Sequence, residues 1–204
     1  MSIQTKPIAV AITGASGSAY ALRLIESLVQ AEQPLYVMIS QAGQVVLRME
    51  SGLELPSQPS EAQKVLCERF NADPEKLQVF GRQQWMAPVA SGSNPPRAMV
   101  VCPCTVGALS AIACGASNDL MERAADVILK ERQKLILVVR ETPFSEIHLE
   151  NMLKLSRMGA VIMPANPGFY NSPKRVEDIV DFMVSRILDQ LDVENNLSPR
   201  WGSD

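Results

Sequence analysis

Apolar runs and amphipathic stretches alternate along the whole of this chain. Short apolar-rich runs predict strands at residues 7–12, 35–39, 77–80, 98–102, 134–139 and 160–163. A 3.6-residue apolar period predicts helices at residues 19–31, 41–50, 61–70, 118–131, 145–158 and 174–191. Strands that alternate with helices favour right-handed crossovers and a parallel sheet. The pattern therefore predicts one three-layer α/β domain over residues 1–204, with a mostly parallel sheet of about six strands.

The last predicted helix carries a continuous apolar stripe. The residues expected to face the sheet are Val176, Ile179, Val180, Met183, Ile187 and Leu191. Arg186 lies off this stripe, so it is not expected to be buried in the core.

The centre of the chain has no charged residue between Arg97 and Asp119. A run of this length raises the possibility of a membrane-spanning helix, but an early proline and many small polar residues argue against a lipid-facing one. We predict a buried strand that ends at Pro103, followed by a helix that Thr105 caps. The first turn of that helix has small residues, so a ligand could contact its unpaired amides: Val106, Gly107 and Ala108.

The turn after the first strand, residues 13–18, reads TGASGS and leads into a predicted helix. A glycine-rich turn between a strand and a helix is a candidate phosphate or flavin site. It lacks the full G-x-G-x-x-G spacing, and many such turns need glycine only for a positive φ. Both interpretations stay open on the sequence alone.

Other polar residues follow predicted strands. Ser40 follows the second strand, and Arg140 and Glu141 follow the fifth, where ligands bind in open parallel sheets. A helix cap for the serine and a simple ion pair for the two charges are the alternatives. Arg123 and Lys130 are seven residues apart and share a helix face, for which solvated surface is the default interpretation.

The segment at 85–96 is a long irregular loop that begins with Trp85 and Met86. Loops of this length in compact domains are usually functional or interfacial, although these two side chains could instead form a packing lid.

Composition narrows the function classes. The net charge is −3 and the pI is about 5.3, so no basic surface for nucleic acid or anionic lipid is expected. Four cysteines without a signal peptide indicate free thiols in a reducing cytoplasm. Cys102 and Cys104 are too close in sequence for a common zinc motif, and His148 is the single histidine. No metal site is predicted.

Several motifs are specific in combination: TGASGSAYALRL, WMAPVASGS, CPCTVGALSAIACGASNDLMERAADVILKE, LVVRETPFSEIHLENMLKLSRMGAVIMPANPGFY and the closing PRW. Together they resemble the flavin prenyltransferases of the UbiX family over nearly the whole chain. The resemblance implies a Rossmann-like, flavodoxin-type subunit in a cytoplasmic homododecamer. It also implies that FMN and dimethylallyl phosphate bind at subunit interfaces, and that prenylated FMN passes to a decarboxylase of the UbiD type, as in ubiquinone biosynthesis.

The resemblance also assigns residues. The FMN set comprises Gly14, Ala15, Ser16, Ser40, Thr105, Val106, Gly107, Ala108 and Arg140. The prenyl phosphate is assigned to Tyr170 and Arg186, with Arg123 and Lys130 supplied by another subunit. The catalytic set is Ser16, Glu50, Lys130 and Glu141. Many family members carry Ser-Thr-Gly-Thr where this chain has Thr-Val-Gly-Ala, so flavin contacts at Val106 and Ala108 would use backbone amides.

The implied mechanism relies on electrostatics and uses no metal. N5 and C6 of reduced FMN are the nucleophiles, the cations and Tyr170 stabilise the leaving phosphate, and Glu141 moves protons with Ser16 as a relay.

Two alternatives remain at this stage. One is an FMN-dependent cysteine decarboxylase on the same fold, but that class uses an active-site histidine and an asparagine-bearing turn. Here the turn reads Pro103-Cys104-Thr105-Val106-Gly107-Ala108, and His148 lies on the predicted helix at 145–158. The other alternative is a flavin carrier without catalysis, which would not require the phosphate-binding residues.

Overall fold

The chain forms one twisted layer of parallel strands between two layers of helices. The computed structural model describes residues 6–202. Within that range, the strands are β1 (Ile8–Ile12), β2 (Leu35–Ile39), β3 (Leu77–Phe80), β4 (Ala98–Cys104), β5 (Lys134–Val139) and β6 (Val161–Ile162). Their order across the sheet is β3-β2-β1-β4-β5-β6, and every neighbouring pair is parallel. The predicted fold class and strand number are therefore confirmed.

Helices cover both faces of this sheet. They are α1 (Ser18–Gln30), α2 (Gln41–Ser51), α3 (Pro59–Phe70), α4 (Val106–Ala113), α5 (Leu120–Lys130), α6 (Glu146–Arg157) and α7 (Val176–Gln190). Side chains alternate along β1, so Ile8, Val10 and Ile12 pack in one core with α1, α3 and α7. Ala9 and Ala11 pack in the other core, with α4, α5 and α6.

The uncharged central stretch divides between two elements. All seven residues of β4 are buried, and α4, which follows it, has eight residues. No helix in residues 6–202 is long and apolar enough to cross a membrane.

The expectation that Pro103 ends the fourth strand is wrong. β4 continues to Cys104, with an irregular register against β5 between Val101 and Cys104. Proline lacks an N–H group, but its carbonyl still accepts hydrogen bonds. The Pro103 carbonyl accepts one from the Thr13 amide at 3.3 Å, and the Cys104 carbonyl accepts one from the Arg140 amide at 3.1 Å.

The apolar stripe of α7 needs one correction. Val180, Met183 and Ile187 are buried as predicted, but Val176 is 70% exposed. Val176 is the first residue of α7 and lines an open cleft between α1, α3 and α7, which leaves its side chain exposed.

Candidate functional site

A cavity of about 190 Å³ opens where β1, β2 and β4 end. The carboxyl ends of neighbouring parallel strands form the usual ligand crevice of such sheets. The cavity is lined by Thr13, Gly14, Ser40, Ala42, Thr105, Gly107, Ala108, Ile112, Asp119, Met121 and Glu122. Five of the residues predicted to bind flavin therefore meet in one place: Gly14, Ser40, Thr105, Gly107 and Ala108.

The other predicted flavin residues lie beside this cavity. Ala15 is buried next to Gly14, Ser16 is exposed on the same turn, and Val106 is half-buried at the start of α4. Arg140 joins the group through its amide, which bonds to the carbonyl of Cys104.

The floor of the cavity depends on a close approach between the first turn and α2. A Cβ atom on Gly14 would overlap the Cβ atom of Ala42. Only glycine therefore allows the turn to lie this close to the helix, and its backbone is left open to a ligand.

Thr13 fixes the first turn to the α4 turn, a role that the sequence analysis did not assign. Its hydroxyl donates to the Pro103 carbonyl at 2.7 Å and accepts from the Thr105 amide at 2.9 Å. Thr13 is buried, so these bonds are shielded from water. A hydroxyl residue directly after a buried strand was the available sequence signal.

Asp119 and Glu122 were also missed. Asp119 caps α5 by accepting from the Glu122 amide at 2.9 Å, and it pairs with Arg82 at 3.3 Å. Glu122 in turn accepts from the Asn118 amide at 2.7 Å. The Asp-Leu-Met-Glu spacing at a helix start would have indicated the cap, although not its place beside the cavity.

Ser40 and Thr105 are both helix caps and cavity residues. The Ser40 hydroxyl accepts from the Gly43 amide at 3.0 Å, and the Thr105 hydroxyl accepts from the Ala108 amide at 3.1 Å. The two interpretations of Ser40 are therefore compatible. In the first turn of α4, the amides of Val106 and Gly107 have no intrahelical carbonyl to bind, which leaves them for a ligand or water.

Arg140 carries an unsatisfied polar atom. Its Nε is buried and has no hydrogen-bond partner among the residues that the structure describes. A buried donor without a partner costs stability unless a ligand satisfies it.

The Glu50 carboxylate accepts hydrogen bonds from the backbone amides at the start of α1. Its Oε2 accepts from the Gly17 amide at 3.0 Å and from the Ser18 amide at 2.8 Å. Burial disfavours the charged form, but hydrogen bonds from the Ser16 hydroxyl and from these amides outweigh it and lower the pKa of Glu50. The amides of Gly17 and Ser18 are therefore satisfied within the chain, and flavin binding by Gly14, Ala15 and Ser16 stays a prediction.

Glu141 follows β5 beside Arg140. Its Oε1 accepts from the Thr142 amide at 3.1 Å. Its predicted connection to Ser16 as a proton relay stays a prediction.

Arg123 and Lys130 both face the irregular loop at 85–96. Arg123 Nε donates to the Ala90 carbonyl at 3.1 Å, and its Nη1 pairs with Asp126 at 2.8 Å. Lys130 pairs with Glu131, and Gly92 lies against that pair. The shared face is confirmed, and it packs on a loop instead of being wholly solvated.

Tyr170 lies in the loop before α7 and packs against that helix, which carries Arg186. The Tyr170 ring packs edge-to-face on Phe182, with ring centroids 5.7 Å apart. Arg186 is one helical turn beyond Phe182, and its Nη1 pairs with Asp189 at 2.8 Å.

Lys130 and Arg186, two of the cations predicted to bind the prenyl phosphate, lie toward the opposite edge of the sheet from the cavity, whereas Arg123 is in the first turn of α5, next to Glu122 of the cavity lining. Lys130 ends α5 just before β5 begins, and the end of α7 is bonded to Lys134, the first residue of β5. A five-residue strand spans about 17 Å, and Arg186 is about 15 Å along α7 from its start. One subunit therefore does not bring Lys130 or Arg186 to its own cavity.

A larger cleft lies elsewhere. It measures about 640 Å³ and lies between α1, α3 and α7, and no predicted site residue lines it. Its central arginine, Arg23, is already paired with Asp181 and Glu26. The smaller cavity is the better candidate because the predicted residues converge there.

The single histidine has a structural role. The Nδ1 atom of His148 accepts from the Ser145 amide at 3.1 Å, and the Ser145 hydroxyl accepts from the His148 amide at 3.4 Å. This reciprocal pair is a capping box at the start of α6.

Comparison with known proteins places the chain in a family. The Flavoprotein family model matches residues 1–188. The flavin prenyltransferase UbiX of Pseudomonas aeruginosa is 56% identical over 195 residues, covering 96% of this chain and 93% of the relative. The chain belongs to the UbiX flavin prenyltransferase family.

Solved structures of the family agree with this assignment. AnUbiX (PadA1), crystallised in complex with FMN and dimethylallyl pyrophosphate, has a TM-score of 0.86 and 37% identity, covering 98% of each chain. A dodecameric FMN-dependent UbiX-like decarboxylase from Escherichia coli O157:H7 has a TM-score of 0.84 and 36% identity, covering 97% of this chain and all of the other. PPC decarboxylase, at 10% identity and a TM-score of 0.57, shares the fold alone.

Proposed function

We propose that this protein is a flavin prenyltransferase that joins the dimethylallyl group of dimethylallyl phosphate to N5 and C6 of reduced FMN. The observation that carries the proposal is the cavity at the ends of β1, β2 and β4, in a chain of the UbiX family. AnUbiX, a solved relative, is in complex with FMN and dimethylallyl pyrophosphate.

The residues around the cavity fit FMN. The orphaned Nε of Arg140 is a charged donor without a partner, which suits the flavin phosphate. The free amides of Val106 and Gly107 add neutral donors at a helix start, where anions are favoured. Gly14 lets the turn after β1 lie against Ala42, and both residues line the cavity. When bound, reduced FMN supplies the nucleophilic atoms N5 and C6.

The cations and Tyr170 stabilise the leaving phosphate. As the allylic carbon–oxygen bond breaks, negative charge grows on the phosphate oxygens. Lys130, Arg123 and Arg186 supply positive charge there, and the Tyr170 hydroxyl supplies a hydrogen bond. Each well-placed group of this kind is worth about 3 kcal/mol in the transition state.

Glu50, Ser16 and Glu141 handle protons near the flavin. The lowered pKa of Glu50, to which the nearby Ser16 hydroxyl contributes, keeps this carboxylate ionised at neutral pH. The Ser16 hydroxyl is the proton relay between the flavin and Glu141. Glu141 then accepts the proton that ring closure releases.

The complete site requires several subunits, and we propose a homododecamer. The cavity of about 190 Å³ is smaller than the range of about 300–1,000 Å³ for cofactor pockets. Apolar side chains are exposed at Met86 (96%) and on α6 at Ile147, Leu149 and Leu153. Such exposure is expected of surfaces that another subunit covers in the assembly. Light scattering tests this proposal, and an active monomer would contradict it.

The decisive experiment incubates the protein with reduced FMN and dimethylallyl phosphate, in chelator-treated buffer, and takes a mass spectrum of the flavin. Addition of one dimethylallyl group is expected. His148→Gln keeps a side chain that can complete a capping box, so it is expected to keep full activity. An inactive, folded and flavin-loaded His148 variant would favour the histidine-dependent decarboxylase.

We also propose the setting in which this activity operates. The product would pass to a UbiD-type decarboxylase in the cytoplasm, with the chain acting as a single domain. In residues 6–202 the cysteines Cys67, Cys102, Cys104 and Cys114 are unpaired, as expected in a reducing compartment.

A further inference from the structure

Asp189, near the end of α7, binds two arginines at once. Its Oδ2 accepts from Arg186 Nη1 at 2.8 Å, and both of its oxygens accept from Arg200 Nη1 at 2.7 Å. Asn195 Nδ2 also donates to it, at 3.2 Å. The Asp189 side chain is 19% exposed, whereas those of Arg186 and Arg200 are 53% and 48% exposed. The carboxylate is therefore the fixed centre of the cluster, and the guanidinium groups are its more accessible parts.

The charge balance of this cluster suits an anion. Arg186 and Arg200 share the Asp189 carboxylate, so this one carboxylate does not by itself neutralise both guanidinium groups. The cluster between α1 and α7 is the reverse, since Arg23 pairs with both Asp181 and Glu26, and these three groups carry a net charge of −1. Only an arginine that is not fully neutralised attracts phosphate strongly. Asp189 can therefore hold Arg186 in place without cancelling the positive charge of the cluster.

The same carboxylate holds the C-terminal segment, residues 195–201, along α7. Arg200 Nη2 donates to the Asn195 carbonyl at 3.3 Å, and Asn171 Nδ2 donates to the Ser198 hydroxyl at 3.0 Å. The Trp201 ring then packs edge-to-face on Tyr170, with ring centroids 5.1 Å apart. The segment thus contacts Tyr170 directly and reaches Arg186 through Asp189.

We propose that Asp189 is a positioning residue that orients Arg186 toward the prenyl phosphate and holds the C-terminal segment against Tyr170. This inference rests on the proposed function, in which Arg186 and Tyr170 receive that phosphate. Asp189 acts only through its partners and does not contact the substrate.

The protonation state of Asp189 agrees with its proposed role as the partner of both arginines. Burial disfavours the charged form of Asp189, but hydrogen bonds from Arg200 and Asn195 and the charges of both arginines outweigh it and lower its pKa. The carboxylate is therefore ionised at neutral pH.

A double-mutant cycle tests the positioning. Asp189→Asn is expected to lower kcat/KM for dimethylallyl phosphate about tenfold and Arg186→Met about 100-fold. Because Asp189→Asn also loosens the C-terminal segment on Tyr170, the double variant should lose more activity than Arg186→Met but clearly less than the product of the two single losses. Independent losses that multiply, or full activity of Asp189→Asn, would overturn the inference. Asp189→Glu keeps the charge and should restore part of the activity, and it replaces Asp189→Asn in the cycle if the latter does not fold.

Trypsin cleavage provides a readout that does not depend on activity. The enzyme cuts after Arg200, and mass spectrometry of the intact chain detects the loss of residues 201–204. Asp189→Asn should accelerate this cut about fivefold, because the segment opens locally more often. Asp181→Asn is the matched control, since it breaks an arginine pair on the same helix without touching the segment. Equal cleavage of Asp189→Asn and wild type contradicts the inference.

Failure of the proposed function gives a different result. If wild type transfers no prenyl group, the transferase proposal is wrong, and the cycle is then measured on dimethylallyl phosphate binding to the FMN-loaded protein by calorimetry. The same lack of additivity is expected there. Additive losses, or no binding at all, would overturn the role of Asp189.

Discussion

Arg140 offers the sharpest test of the flavin site, because its replacement should change affinity and stability in different ways. Arg140→Met keeps the length of the side chain and removes the guanidinium group. The buried Nε has no partner in the described structure, and such a donor costs about 1–3 kcal/mol. The variant without flavin is therefore expected to be as stable as wild type, or slightly more stable.

The effect on FMN affinity follows from the bond that is lost. A hydrogen bond between a charged donor and phosphate contributes about 1.5–3 kcal/mol. At about 1.4 kcal/mol for each factor of ten, the Kd for FMN should rise about 10- to 150-fold. Riboflavin lacks the phosphate, so its Kd should change less than about threefold by the same reasoning.

The assay is a titration followed by quenching of flavin fluorescence, with thermal unfolding of the flavin-free protein measured in parallel. Arg97→Met is the matched control. Arg97 is also half-buried with an unpartnered Nε, but it donates to the Leu191 carbonyl at 2.8 Å and to Gln33 at 3.1 Å, at the amino edge of the sheet. Arg97→Met should lower stability and leave FMN affinity unchanged. Equal losses of FMN and riboflavin affinity in Arg140→Met would refute a phosphate contact.

Three further predictions concern other parts of the site. Lys130→Met and Arg186→Met should each slow single-turnover prenyl transfer about 100-fold while FMN stays bound, as measured by rapid quench; full rates in both would contradict the mechanism. Because the pKa of Glu50 is lowered, its stabilising contribution exists above its unfolded-state pKa and is lost as pH falls through the folded-state value. The difference in unfolding free energy between wild type and Glu50→Gln in urea should therefore shrink between about pH 6 and pH 3, and a constant difference would exclude this linkage. Gly14→Ala should weaken FMN binding at least tenfold, because its Cβ atom would overlap Ala42 and such overpacking costs about 1–3 kcal/mol. Unchanged binding in the fluorescence titration would show that α2 can move away.

The sequence by itself determined the fold and identified five of the residues that line the cavity. Strand and helix positions follow from local periodicity, because burial of one face requires a repeat of two or 3.6 residues. Ser40 and Thr105 could be identified as caps for the same reason, since a cap needs only its own helix. The family motifs then supplied residues such as Tyr170 and Arg186, which have no local pattern of their own.

Only the tertiary structure decided which of these residues contact one another and at which edge of the sheet each one lies. Glu50 lies far from Gly17 in sequence, so its capture of the Gly17 and Ser18 amides depends on how α2 packs beside the first turn. The place of Lys130 depends on the direction of its helix relative to the sheet. Parallel connectivity brings the starts of α4 and α5 to the carboxyl edge and the ends of α5 and α7 to the amino edge. For that physical reason, Lys130 and Arg186 lie far from the cavity of their own subunit.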